Sequence, residues 1–158
     1  MTAEQKQEFT RRITQANPTG LTIILYDITL TYLADAKSAW EKKDAADFCR
    51  QLNLAEKCVL ELIANLNFLF DPARELHQIY LYMKKTMRDA RIRNEADGLD
   101  DVIKNMTSLK EAYESIKDMD TSPAVMAHTQ TVTAGLTYGK NAAYENLTDQ
   151  SSNRGFCV

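Results

Sequence analysis

Glycine and proline are scarce, at five and three in 158 residues. Both residues punctuate regular structure, and the three prolines fall at element starts, so helix is the default over long stretches. No run alternates apolar and polar residues in the manner of a half-buried strand. No apolar run approaches the ~20 residues that span a bilayer, so no membrane span is expected. The opening MTAEQKQEFTRR lacks the apolar stretch of a secretory signal, and the chain is expected to be cytoplasmic.

Histidine occurs twice, as His77 and His128. No Glu-x-x-His, HExxH, GxSxG or glycine-rich phosphate loop is present, and Glu75 and His77 stand two apart, on different sides of a helix. No metal, no cofactor and no enzymatic activity are therefore expected. Three cysteines, Cys49, Cys58 and Cys157, make an odd count without CxxC spacing. Nine residues apart, Cys49 and Cys58 point to opposite sides of one helix at ~100° per residue, and Cys58 reads as a small core residue among Leu54, Leu62 and Leu66. A basic excess is also absent. A net charge of −3 argues against nucleic acid as a partner, and the basic stripe Lys84, Arg88, Arg91 reads as a solvated face balanced by Asp89 and Glu95.

What the chain does have is helical periodicity. Hydrophobic residues make up 44% and charged residues 26%, an ordinary composition for one domain, and a chain near this length buries about 68–70% of its unfolded surface. A short amphipathic segment over about residues 3–15 carries Phe9 and Ile13. Asn17 and Pro18 start a long helix, and Asp44 caps the next, whose stripe is Phe48, Leu52, Ala55, Val59, Leu62, Leu66 and Leu69. Asp71 as cap and Pro72 restart the chain into Leu76, Ile79, Tyr80, Met83, Met87 and Ala90. After a turn at NEADG come Leu99, Val102, Ile103, Met106, Leu109, Tyr113 and Ile116. Four long helices joined by short turns predict an all-α, antiparallel up-down four-helix bundle with a short N-terminal helical segment. Residues 1–119 form the bundle, and 120–158 a C-terminal extension expected to pack on it through Val125, Met126, Val132, Leu136, Tyr138, Tyr144, Leu147 and Phe156.

The helix after Pro18 has too many apolar residues for one face. Leu21, Ile24, Leu25, Ile28, Tyr32, Ala36 and Trp40 make a stripe that reads as facing the core. A second stripe, Ile23, Tyr26, Leu30 and Leu33, is rotated away from it and reads as a groove for a partner's amphipathic helix, covered by the N-terminal segment until the partner displaces it.

Several segments resemble one family. ANPTGLTIILYD is similar to the ASPxxLxxMLYD signature of the flagellin-specific export chaperones, the FliS family. AEKCVLELIANLN resembles that family's second-helix segment, ELHQIYLYMKKTMRDARIRNE its NLxxLYxYMxxRLxxANxxND stretch, and LDDVIKNMTSLKEAYESI its closing helix, with Tyr113 at a usual tryptophan. The order and spacing agree over about residues 9–118. The resemblance implies a non-enzymatic chaperone of bundle fold. Such a protein holds the C-terminal segment of flagellin in the cytosol, prevents its premature polymerisation and helps deliver it to the flagellar type III export gate. The positions matching the family's client surface are Leu21, Leu25, Tyr26, Asp27, Tyr80, Tyr82 and Met83. In the family a tyrosine-bearing N-terminal segment lies over the client groove, and Phe9 is the nearest candidate here, with Ile13 beside it in the segment. Gln15 stands where the family usually has threonine, and Ile28 where it usually has glycine. The alternative function is a structural or regulatory homo-oligomer, such as a homodimer, in which the second stripe joins two bundles.

Overall fold

The structure, a computed structural model, describes residues 1–128. The chain divides into two units, Met1–Val125 and Met126–Val158, and the first holds every α-helix among the described residues. These are α1 (Ala3–Gln15), α2 (Pro18–Glu41), α3 (Ala45–Ala64), α4 (Pro72–Arg93) and α5 (Leu99–Ile116), followed by a 3-10 turn at Lys117–Met119. No strand occurs among the described residues. The expectation for an extension over 120–158 falls mostly on residues outside those described.

Local chemistry accounts for the helix starts. Thr2 opens α1 with a capping box, its hydroxyl accepting from the Gln5 amide while the Gln5 side chain accepts from the Thr2 amide. Asn17 caps α2 by accepting from the Gly20 amide at 2.8 Å, with Pro18 in the first turn. Gly20 makes that approach feasible, since a Cβ there would stand 2.9 Å from the Asn17 Oδ1. Asp44 caps α3 through the Asp47 amide. Asp71 departs from expectation. Its backbone is already helical and its carboxylate makes no capping bond, so Pro72 alone marks the start of α4. Before α5 the chain turns at Gly98 with φ +79°, and a Cβ there would meet Thr86 Cγ2 at 2.8 Å.

Consecutive helices pack on one another, α2 on α3, α3 on α4 and α4 on α5, and α5 returns to α2 to close a ring; α1 packs on α2. Polar pairs fix the direction of that closure. Lys37 pairs with Asp100 at 2.5 Å and Asp27 with Lys110 at 2.7 Å, while the Thr19 amide donates to Asp120 at 3.1 Å. As the residue number falls along α2 it rises along α5, so the two run antiparallel.

The core corrects the reading of α2. Tyr26, Leu33 and Ala36 have no exposed surface and Ile23 is 5% exposed; Leu30 packs partly buried against the same cluster. Tyr26, Leu33 and Ala36 share one cluster with Phe48, Leu52, Ala55 and Val59 of α3, Tyr80, Met83 and Met87 of α4, and Leu99, Val102 and Met106 of α5, whereas Ile23 is buried outside it, near Ala16 and Lys117. The stripe expected to be an open groove is therefore part of the core, and of the stripe expected to face the core Ile24 and Ala36 are buried as expected. Conversely Leu21, Leu25, Ile28 and Tyr32, expected to face the core, are half-buried, and Trp40 is exposed. Thr29 is the buried residue that links Tyr26 to Leu33, and its hydroxyl is satisfied by the Leu25 carbonyl at 2.6 Å. Smaller differences follow from the helix ends. Leu69 lies past the end of α3 and is 90% exposed, and Ile116, in the last turn of α5, is exposed as well. Cys58, expected in the core, is half-buried, and burial pushes its thiol pKa up.

This difference between the stripes predicts unequal costs for equal truncations. Leu33→Ala should lose about 2–5 kcal/mol by opening a cavity in the packed core. Leu21→Ala, at a half-open position, should lose clearly less. Urea unfolding of both variants, monitored by circular dichroism, measures the difference, and equal losses would contradict the burial pattern.

Candidate functional site

The half-buried stripe of α2 forms one wall of a groove. Leu21, Leu25 and Ile28 face Leu62, Asn65 and Leu66 at the end of α3 across an opening of about 440 Å³. Pro18, Thr22 and Ile24 extend the α2 side, and Tyr80 and Tyr113 contribute from α4 and α5. Ile13 of α1 and Val125 complete the lining. The volume lies within the roughly 300–1,000 Å³ typical of ligand clefts, and the lining is almost entirely aliphatic and aromatic.

Below the groove sits a cluster of tyrosines. The Tyr26 and Tyr80 hydroxyls share a hydrogen bond at 2.5 Å, linking α2 to α4 across the ring of helices. The Tyr113 ring stands edge-on to Tyr26, with centroids 5.5 Å apart and planes at 71°. Burial disfavours the phenolates, so all three pKa values rise, that of Tyr80 to about 12. At neutral pH these groups stay protonated. Their work is structural, as a polar pin inside an apolar core.

Asp27 is the charged counterpart of that pin. Its carboxylate accepts from Arg12 of α1 at 2.7 Å and pairs with Lys110 of α5 at 2.7 Å, so one side chain ties three helices. The bond to Asp27 in turn holds the Lys110 pKa above its ordinary value. Arg12 also lies 5.6 Å above the Phe9 ring. Helix α1 has no fully buried residue; half-buried Ile13 and this ion pair hold it to α2, and the Met1 amine just before it pairs with Asp35.

The twelve residues proposed from the sequence thus separate into four groups. Ile13, Leu21 and Leu25 line the groove, with Tyr80 at its buried side. Ile23, Tyr26, Leu33 and Met83 are buried, and Leu30 is partly so; a client cannot touch the buried ones without opening the bundle. Asp27 and Phe9 belong to the α1 attachment. Tyr82 is exposed on the α4–α5 seam, where it lines a separate hollow of about 380 Å³ with Ile79 and Leu109. Pro18, Ile28, Leu62, Leu66 and Val125 line the groove without having been proposed as site residues. Leu62 and Leu66 repeat at four-residue spacing, which the sequence offered as a core stripe.

Among the described residues no cluster of His, Cys, Asp and Glu is placed to hold a metal ion, and no helix is long and apolar enough to cross a membrane. The family model described as flagellar protein FliS matches residues 1–120. No curated protein matches the chain.

The tyrosine pin makes stability depend on alkaline pH. The folded pKa of Tyr80 is raised above the ordinary value of 10.0, so the contribution is fully present below pH 10 and is lost as pH rises towards 12. Stability measured from pH 8 to 11.5 should therefore fall at the alkaline end. Tyr26→Phe strands the Tyr80 hydroxyl and should cost about 1–3 kcal/mol. Adding Tyr80→Phe should recover part of that loss and flatten the alkaline limb. An additive double variant with an unchanged limb would rule the pin out.

Proposed function

This chain belongs to the FliS family of flagellar proteins, and from that premise we propose that it is a flagellar export chaperone whose α2–α3 groove receives the C-terminal segment of flagellin. The observation that carries this reading is the half-exposed stripe Leu21, Leu25 and Ile28 opposite Leu62 and Leu66. A stable bundle has little reason to leave so continuous an apolar surface open, and such surfaces mark binding sites.

The mechanism is occupancy. An unpolymerised amphipathic segment would bury its apolar face against another copy of itself. Laid into the groove, it buries that face against α2 and α3 instead. Ordering a flexible client costs chain entropy, which a large apolar contact must offset. Helix α1 acts as a temporary cover, since Ile13 supplies groove lining and Arg12 anchors the helix to Asp27. Client binding displaces α1, and the loaded complex is then presented in the cytosol to the export gate. Tyr82 on the opposite seam extends the client path or meets the gate.

A second reading is favoured by one observation. Phe68, Leu69 and Phe70 are 53%, 90% and 67% exposed on the α3–α4 turn, and so apolar a turn suits a homodimer contact. Light scattering separates the readings, because a chaperone should form a 1:1 complex with a flagellin C-terminal peptide and an oligomer should ignore it.

The groove reading predicts that Leu21→Asp and Ile28→Asp keep the helical circular dichroism signal and lose binding to a flagellin C-terminal peptide. Leu33→Asp should instead unfold the chain, because it buries an unpaired charge. Calorimetric titration decides, and undiminished peptide binding by both groove variants would sink the assignment.

A further inference from the structure

Beyond α5 the chain turns back across the corner between α1 and α2. The Asp120 carbonyl accepts from the Asn17 side-chain amide at 2.8 Å. Its carboxylate accepts from the Thr19 amide at 3.1 Å and the Ser122 amide at 3.0 Å. At the far end of the segment, the Val125 amide donates to the Ala16 carbonyl at 3.0 Å. Residues 120–125 are thus fixed at both ends to the same corner. The first turn of α2 is capped jointly by Asn17, its neighbour, and by Asp120, 101 residues from Thr19.

This attachment differs in kind from the core. Thr121, Ser122, Pro123 and Val125 are exposed and Ala124 half-buried, so the segment buries little apolar surface. Hydrogen bonds hold it instead, part-buried at Asn17 and Thr19 and exposed at Ser122, and two of them are made by the Asp120 carboxylate. Yet Val125, itself 46% exposed, lines the same groove as Ile13, Leu21 and Leu66. A segment held by hydrogen bonds rather than by packing therefore stands on one end of the apolar opening.

We propose that residues 120–125 are a strap that closes the α1–α2 end of the groove from within the chain, and that an incoming segment fills this end by lifting it. The inference rests on the groove being the client site. The strap competes as a tethered ligand, at a local concentration a free segment must exceed. It is distinct from α1, for it is anchored on the first turn of α2 and the Ala16 carbonyl, whereas α1 is anchored on Asp27 in the third turn.

The test uses the full chain with two variants. Asp120→Ala removes the carboxylate anchor, and Val125→Ser withdraws the side chain from the groove while keeping every anchoring bond. A synthetic flagellin C-terminal peptide is titrated calorimetrically, and hydrogen exchange of the Val125 amide is followed with and without it. Both variants should bind the peptide more tightly, Asp120→Ala by about fivefold or more, the lower end of ordinary coupling between sites. In the unaltered chain, saturating peptide should speed exchange of the Val125 amide. Unchanged or weaker binding by both variants, with Val125 still protected in the complex, would make the strap a static part of the bundle. Should neither the unaltered chain nor the variants bind the peptide, the client assignment fails by itself. The strap is then judged by an apolar dye, anilinonaphthalene sulfonate. Brighter fluorescence with folded Asp120→Ala or Val125→Ser than with the unaltered chain supports it, and equal fluorescence overturns it.

Discussion

Helix α2 carries more apolar surface than one face can bury. Tyr26, Leu33, Ala36 and Ala39 occupy the face that meets α3, α4 and α5, and a ring of four helices has no further inner face to offer. Leu21, Leu25 and Ile28 are left on the flank. The elements that do not belong to the ring gather over this flank. Ile13 of α1 reaches it from one direction and Val125 from another. What remains uncovered between them and the end of α3 is the groove. The site is thus the residue of a packing problem, and its position follows from which face of α2 the core claims.

Polar contacts decide that claim. A helix can rotate to present either of two apolar stripes, and area alone separates them poorly. The Tyr26–Tyr80 hydroxyl pair separates them well, because turning α2 away would strand two buried hydroxyls. Asp27, the next residue along, points outward from the same turn and meets Arg12 and Lys110. Adjacent residues on a helix diverge by about 100°, so the pair Tyr26 and Asp27 fixes the rotation of α2 from both sides at once. The ladder of Lys37 to Asp100 and Asp27 to Lys110, continued past the helix end by Thr19 to Asp120, then sets its axial register against α5.

Much of this was legible in the sequence, and the part that was not has a physical cause. The helix starts at Asn17–Pro18, Asp44 and Pro72 are local chemistry and could be read directly. So could the stripes of α3, α4 and α5, each with one dominant apolar face. On α2 two apolar stripes compete, and Thr29 was counted in neither. Its hydroxyl bonds to the Leu25 carbonyl of its own helix, so a residue scored as polar sits fully buried between Tyr26 and Leu33. Without it both stripes, Leu21, Leu25 and Ile28 on one side and Ile23, Tyr26, Leu30 and Leu33 on the other, are continuous in the sequence, so periodicity alone does not rank them. The tyrosine pair was equally hidden, since nothing local says that Tyr26 and Tyr80, 54 positions apart, share a hydrogen bond. Residues of the groove were therefore named in the sequence, but Tyr26 and Leu33 of the core were read as open and Leu21, Leu25 and Ile28 of the flank as core, while Ile24 and Ala36 were placed correctly.

The strengths of the contacts are divided in the same way as the faces. Packed side chains without exposed surface and the buried tyrosine pair hold the four-helix ring, and such contacts are costly to break. Partly exposed contacts hold what lies over the flank. Arg12 and Asp27 keep 34% and 18% of their side-chain surface exposed, so water reaches this pair as it does not reach the tyrosine pair. A cover held with core-like strength would close the groove permanently, whereas a groove with no cover would expose an aliphatic surface to self-association. Solvent-reachable tethers on a rigid ring avoid both outcomes. They let the flank of α2 stay shielded when empty and become available when a longer apolar segment offers more surface than Ile13 and Val125 together can.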